Sequence, residues 1–149
     1  MIRICFVCLG NICRSPMAEF IMKSKVSSDQ VHIESRGTSY EEEGSDIYPP
    51  AREKLDRELI PYTRHYSKCL EKRDYKKFDY FYCMEESNVR NVLSIFGKDP
   101  KHKIKKLLSK DIDDPWYTGD FDKTYNDLVE GIDNIIKLIN IWHDFVYMI

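Results

Sequence analysis

Cys8 and Arg14, separated by five residues, lie in Val7-Cys8-Leu9-Gly10-Asn11-Ile12-Cys13-Arg14-Ser15-Pro16, directly after an apolar run. That spacing lets a loop curl until a thiolate at its base and a guanidinium at its far end face one anion. Gly10 and Asn11 tolerate the left-handed backbone such a curl needs. Successive inward N–H groups make an anion-binding nest, and a helix starting just beyond adds the positive end of its dipole. These surroundings favour the thiolate form of a cysteine, and Arg holds two oxygens of a tetrahedral oxyanion in fork geometry, which Lys cannot. Ser15-Pro16 is the favoured order of N-cap and first helical residue. The Ser15 hydroxyl is placed to cap the helix, to hydrogen-bond the sulfur, or to do both. The chemistry implied is attack by sulfur on a bound oxyanion.

The elements that must hold this loop can be read from periodicity. Ile2 to Val7, Arg3 apart, is apolar on both alternating faces, as in a central strand covered on two sides, and it delivers Cys8 at its carboxyl end. From Pro16, Met17, Ala18, Ile21, Met22 and Val26 follow a helical period that ends near Ser27-Ser28-Asp29. Val31 to Ser35 alternates as a more exposed strand closed by Gly37, and Thr38 to Pro50, acidic and aromatic, has the composition of a binding loop. Pro49-Pro50 opens a helix with Ala51, Leu55, Leu59 and Ile60 on one face, stopped by Pro61. His65 to Leu70 is read as a strand and Lys72 to Lys77 as a short helical turn. Tyr80 to Met84 is a buried strand, Glu85 to Phe96 a helix capped by Gly97, and Lys103 to Leu108 a last strand. A loop from about Lys110 to Asp120 precedes a long helix from Tyr125 to the C-terminus. Alternating strands and helices imply an α/β fold: a doubly wound parallel sheet with right-handed crossovers and helices on both faces. Ligands of such sheets sit beyond the carboxyl ends of strands, where Cys8 stands.

The chain of 149 residues suits one domain, 1–149. A net charge of −2 leaves no footprint for nucleic acid, and the lysines between Lys98 and Lys110 read as a solvated face. There is no long apolar segment and no charged-then-apolar leader, so the expectation is a cytoplasmic protein without a membrane partner. Five cysteines, Cys5, Cys8, Cys13, Cys69 and Cys83, lack the spacing of a disulfide framework and read as reduced thiols. Cys5 and Cys8 form a Cys-x-x-Cys. A zinc site would want a second pair, however, and a thioredoxin-like pair starts a helix, whereas Cys5 falls in the strand.

Val7 to Ser15, continued by Pro16-Met17-Ala18-Glu19, resembles the signature loop of the low-molecular-weight protein tyrosine phosphatases. Ser35-Arg36-Gly37-Thr38-Ser39 resembles the family's second-strand exit, Phe78 to Asn88 its fourth-strand segment, and Asp113-Asp114-Pro115-Trp116-Tyr117 its Asp-Pro acid loop. The four stretches occur in the family's order across nearly the whole chain. The resemblance implies a four-stranded sheet of order 2-1-3-4 and hydrolysis of phosphotyrosine in proteins or peptides, and of small aryl phosphates, through a phosphocysteine on Cys8. It implies no metal or organic cofactor. Leu9, Gly10, Asn11, Ile12, Cys13, Ser15 and Arg14 would bind the phosphate, and inorganic phosphate or other oxyanions would occupy the same loop.

In-line attack needs an acid on the far side of the phosphoryl group. Asp111, Asp113, Asp114 and Asp120 are all candidates by position, and the Asp-Pro-aromatic match selects Asp114. Aspartate before proline is extended and turn-prone, able to lean over a cleft. Trp116 and Tyr117 would stack on a substrate ring or pack against the last helix, and Tyr40 would form the facing wall. Most similar proteins carry two tyrosines at 116 and 117, so Trp116 is a departure that removes one possible phosphorylation site. Asn11, Ser39 and His65 resemble polar residues that brace the loop. Cys13 would trap oxidised Cys8 as a disulfide. Two sister families use the same loop. Arsenate reductases relay oxidation through further cysteines, for which only Cys69 and Cys83 are available. Arginine phosphatases favour threonine where Ile12 stands. A phosphate-binding module without turnover would not need Cys8, Arg14 and Asp114 all at once.

Overall fold

The computed structural model describes residues 1–148. Four parallel strands, β1 (Ile2–Cys8), β2 (Val31–Gly37), β3 (Tyr80–Cys83) and β4 (Ile104–Lys106), form one sheet in the order β2-β1-β3-β4. Around it lie α1 (Arg14–Lys23), α2 (Pro49–Arg57), α3 (Asp74–Lys77), α4 (Glu86–Phe96), α5 (Pro115–Thr118) and α6 (Phe121–Met148). The expected reach of the last helix to residue 149 lies, at that residue, outside the described residues.

Strand alternation divides the core in two. Ile4, Phe6 and Cys8 of β1 face a cluster built with Met17, Ile21, Leu55, Leu128 and Ile132 from α1, α2 and α6. Cys5 and Val7 face the opposite cluster, with Phe78, Phe81, Val92 and Phe96. Fully burying side chains of this size contributes about 1.5–3 kcal/mol each. A one-residue slip of β1 would exchange both sets, so its register is strongly specified. That register pairs Cys8 with Gly37 and Val7 with Cys83, so the catalytic-type loop leaves the sheet between two strand ends.

Several expectations are corrected. Helix α1 starts at Arg14, not Pro16; Cys13 is its N-cap and no side chain caps it. Proline is accepted here because the N–H groups of a first turn have no intrahelical partner. The same helix ends at Lys23, where the Ser24 hydroxyl bonds back to the Ile21 carbonyl at 2.6 Å. Helix α2 ends at Arg57; Leu59 has φ 57° and is exposed, so it is not part of the apolar face. His65 to Leu70 contributes only a single bridge, Gly37 to Cys69, which makes Tyr80–Cys83 the third strand of the sheet. The backbone of that segment bonds to loops and side chains instead, as in Gly44 N–H to the Ser67 carbonyl and Lys68 N–H to Asn11 Oδ1. The lysine run is not all solvated either. Lys103 is buried, and its Nζ donates to the Tyr75 and Phe78 carbonyls at 2.6 and 2.8 Å.

Candidate active site

Asn11 is the centre around which the loop is built. Its φ of 59° is the one left-handed residue of the curl; Gly10 does not take that conformation. Asparagine pays little for this region, and here every polar group it has is engaged. Its N–H donates to Cys8 Sγ at 3.3 Å and its carbonyl accepts from His65 Nε2 at 2.8 Å and Ser67 Oγ at 2.7 Å. Its Oδ1 accepts from the Lys68 N–H, and its Nδ2 donates to Ser15 Oγ at 2.8 Å and Ser35 Oγ at 3.0 Å. The carbonyl can only accept, so His65 carries its proton on Nε2. Burial works to keep that imidazole neutral and its pKa below the usual histidine value.

The chain of donors has one direction. Ser35 Oγ gives its hydrogen to the buried Glu19 carboxylate at 2.6 Å, so toward Asn11 it can only accept. Asn11 Nδ2 spends both hydrogens on the two serines. The single Ser15 hydrogen is therefore left for Cys8 Sγ at 2.9 Å, with the Arg36 carbonyl a longer alternative at 3.4 Å. Of the two tasks open to Ser15, the structure assigns the sulfur and not the cap.

Arg14 is 1% exposed, and a guanidinium that deep must be compensated. Its Nη1 donates to the Ile112 carbonyl at 2.8 Å, and Glu85 and Asp114 flank it at 3.4 Å each. Burial alone would lower its pKa; its electrostatic interactions with Cys8, Asp114 and Glu85 outweigh this and raise it. Cys13 is buried and its thiol is pushed far up by desolvation first and then by its electrostatic interactions with Cys8 and Asp114, so it stays protonated.

Cys8, Leu9, Gly10, Ile12, Cys13, Arg14, Ser39, Asp114, Trp116 and Tyr117 line one cavity of about 160 Å³, together with Glu41 and Glu42. Among the described residues the N–H groups of Gly10, Ile12 and Cys13 have no acceptor, as an anion-binding nest requires. Asp114 is extended, as expected before Pro115. Its Oδ1 caps α5 by accepting from the Trp116 N–H at 3.0 Å, which leaves Oδ2 turned to Arg14. The rivals are occupied elsewhere: Asp113 pairs with Lys123 at 2.6 Å, Asp111 with Lys106 at 2.7 Å, and Asp120 accepts from the Lys123 N–H.

Other predicted residues fall outside the cavity. Asn11 and Ser15 are buried behind it. Tyr40 does not line it and is exposed. Ser39 touches the cavity, but its hydroxyl accepts from the Glu41 N–H and does not reach Asn11. The bracing hydroxyls are those of Ser35 and Ser67. Trp116, half exposed, tilts against Tyr48 with ring centroids 4.6 Å apart. Cys69 and Cys83 are buried. Glu85, Glu19, Ser67 and Tyr48 were not legible as site residues. The capping box of Glu85 and Asn88 was the one local signal available at Glu85, and it points only to a helix start.

The family model described as low molecular weight phosphotyrosine protein phosphatase matches residues 3–141. The low molecular weight protein-tyrosine-phosphatase PtpA of Staphylococcus aureus is 36% identical over 148 residues, covering 93% of this chain and 94% of its own. The crystal structure of SP-PTP, a low molecular weight protein tyrosine phosphatase from Streptococcus pyogenes, superposes with a TM-score of 0.89 at 42% identity, covering 92% of each chain. A Drosophila arginine phosphatase superposes with a TM-score of 0.82 at 26% identity, covering 91% of this chain and 96% of its own.

Proposed function

The chain belongs to the low-molecular-weight protein tyrosine phosphatase family and is a cysteine-dependent hydrolase; on that premise we propose that Cys8, Arg14 and Asp114 carry out the reaction on phosphotyrosine. The observation that carries this assignment is that all three line one cavity, with Asp114 Oδ2 3.4 Å from the guanidinium. The phosphate dianion sits in the nest of loop N–H groups and on Arg14. Cys8 Sγ attacks phosphorus as the bond to the tyrosyl oxygen breaks, and Asp114 protonates that oxygen. In the second step the Asp114 carboxylate takes a proton from water as the water oxygen bonds to phosphorus. The S–P bond then breaks and inorganic phosphate leaves. Trp116, Tyr117 and Leu9 flank the leaving phenyl ring. Small aryl phosphates fit the same scheme. Cys13 is the spare thiol that condenses with Cys8 once that sulfur is oxidised to sulfenic acid, forming a disulfide and releasing water.

Phosphotyrosine is favoured over phosphoarginine because Ile12, apolar, lines the cavity where the arginine phosphatases favour threonine, and because the far wall is aromatic. The test is phosphate release by wild type and Cys8→Ser from matched phosphotyrosine, phosphoserine and phosphoarginine peptides, with chelator present, and arsenate reduction in parallel. Chelator-resistant, Cys8-dependent release from phosphotyrosine is the expected result. Release chiefly from phosphoarginine, or arsenate turnover alone, would move the chain to a sister activity.

A further inference from the structure

Arg14 is the one cationic side chain among the residues lining the cavity, against three carboxylates, Glu41, Glu42 and Asp114. Arg14 is already flanked by Asp114 and Glu85, so its charge does not neutralise the other two. The three consecutive glutamates of this loop do not share a fate. Glu43 turns away and accepts from the Cys69 N–H at 3.0 Å. Among the described residues the Glu42 carboxylate accepts only from the Ser45 hydroxyl, at 3.1 Å, and Glu41 is exposed. Among the described residues neither Glu41 nor Glu42 has a cationic partner. Their loop is held by backbone bonds, Tyr48 N–H to the Ile12 carbonyl and Gly44 N–H to the Ser67 carbonyl, so the backbone that carries the two glutamates is held beside the phosphate loop.

An anion pocket with an unneutralised acidic lip is unfavourable for a dianion unless the substrate brings a cation of its own. The two carboxylates make no site by themselves; they border a pocket defined independently by Cys8, Arg14 and the loop N–H groups. We propose that Glu41 and Glu42 determine specificity, selecting phosphotyrosine flanked by lysine or arginine and rejecting phosphotyrosine flanked by acidic residues. This rests on the phosphotyrosine reading above. Rejection carries as much of the selectivity as attraction, because a Glu-flanked peptide sets like charges on the lip. Glu41 is exposed and Glu42 half-buried, so both contributions weaken with salt.

The test compares kcat/KM for two phosphotyrosine peptides, one Lys-flanked and one Glu-flanked, within each protein, so that any general change in activity cancels in the ratio. para-Nitrophenyl phosphate serves as a flank-free reference. In wild type at low ionic strength the Lys-flanked peptide is expected to be better by about three- to tenfold, shrinking toward one at high salt. In Glu41→Gln/Glu42→Gln the ratio falls close to one, while in Glu53→Gln/Glu130→Gln, two exposed carboxylates on α2 and α6 chosen to match the charge change, it keeps the wild-type value. A wild-type ratio near one, or a ratio that persists in the double variant, overturns the inference while leaving the phosphatase reading intact. No release from para-nitrophenyl phosphate or from either peptide would bring down both.

Discussion

Arg14 Nη2 stands 3.4 Å from Asp114 Oδ2 across the cavity, although 100 residues separate the two in the chain. Without substrate the guanidinium holds the carboxylate. In the proposed reaction a bound phosphoryl group would take over the guanidinium and leave the carboxyl free for the departing oxygen, which in-line displacement places opposite Cys8 Sγ.

Asp114→Ala should therefore discriminate between leaving groups. Loss of a positioned general acid costs about 100-fold or more in kcat where the leaving oxygen is basic, as in phosphotyrosine. It should cost far less for a nitrophenyl phosphate, whose phenolate leaves without a proton. Equal losses across a leaving-group series would count against Asp114 as the acid, and would point instead to a purely structural role at the start of α5.

The hydrogen-bond direction fixed by Glu19 gives a second expectation. Ser15→Ala removes the hydroxyl donor at 2.9 Å from Cys8 Sγ, and Glu19→Gln removes the charge that orients the Ser35–Asn11–Ser15 chain. Hydrogen bonds to charged groups contribute about 1.5–3 kcal/mol, so Ser15→Ala should slow iodoacetate alkylation of Cys8 about tenfold or more at neutral pH. Glu19→Gln should slow it by less. Alkylation at the wild-type rate in both variants, with folding intact by circular dichroism, would refute this account of the donor chain.

The contrast between Asn11 and Glu85 shows what a sequence can carry about such a site. Asn11 is local: its left-handed tendency, its place between Cys8 and Arg14, and its neighbours are all in one short stretch, and so the loop was legible. Glu85 reaches Arg14 only because β3 lies beside β1, and Ser35 and Ser67 reach Asn11 only through strand exits and an irregular segment. Such contacts are set by packing between elements and leave no spacing to read. The same holds for His65 to Leu70, read as a strand although its pattern is a poor one. Its backbone groups bond to Asn11, Ser45 and Gly37 rather than along a ladder. The sheet itself was legible because two-sided burial writes a continuous apolar run into β1.

Glu34 gives a pH prediction. Burial would raise its pKa, but hydrogen bonds from His32, Arg36 and Lys77 outweigh it and hold the carboxyl at about 2, against an ordinary value of 4.5. A carboxyl depressed in the folded state adds stability that is fully present above its ordinary pKa and is lost as pH falls toward the folded value. Glu34→Gln should thus lower stability by about 1 kcal/mol at pH 7 once partial solvent screening is allowed for, with the difference from wild type closing between pH 4.5 and about 2. Urea melts of both proteins at pH 7, 4 and 2.5 measure it. A difference that stayed constant across that range would mean the loss comes from packing and not from charge.

Gly37 pairs with Cys8 in the sheet, and a Cβ at that position would stand 2.7 Å from the Leu9 carbonyl oxygen and 3.2 Å from the Gly10 carbonyl carbon. Both are backbone atoms of the phosphate loop, so the clash cannot be relieved by turning a side chain. Either the β2 exit or the loop must move, and Gly37 is itself fixed by hydrogen bonds to Lys68 and Leu70. Overpacking of this kind costs about 1–3 kcal/mol. A comparably destabilising change elsewhere separates stability from alignment. Gly97→Ala, at φ 81° with open space around it, strains the end of α4 far from the loop. Gly37→Ala should lower kcat at least tenfold more than Gly97→Ala at matched fraction folded, because displacing the loop by a fraction of an ångström misaligns sulfur and phosphorus. If the two variants lost kcat only in proportion to the unfolded fraction, Gly37 would be a fold glycine and nothing more.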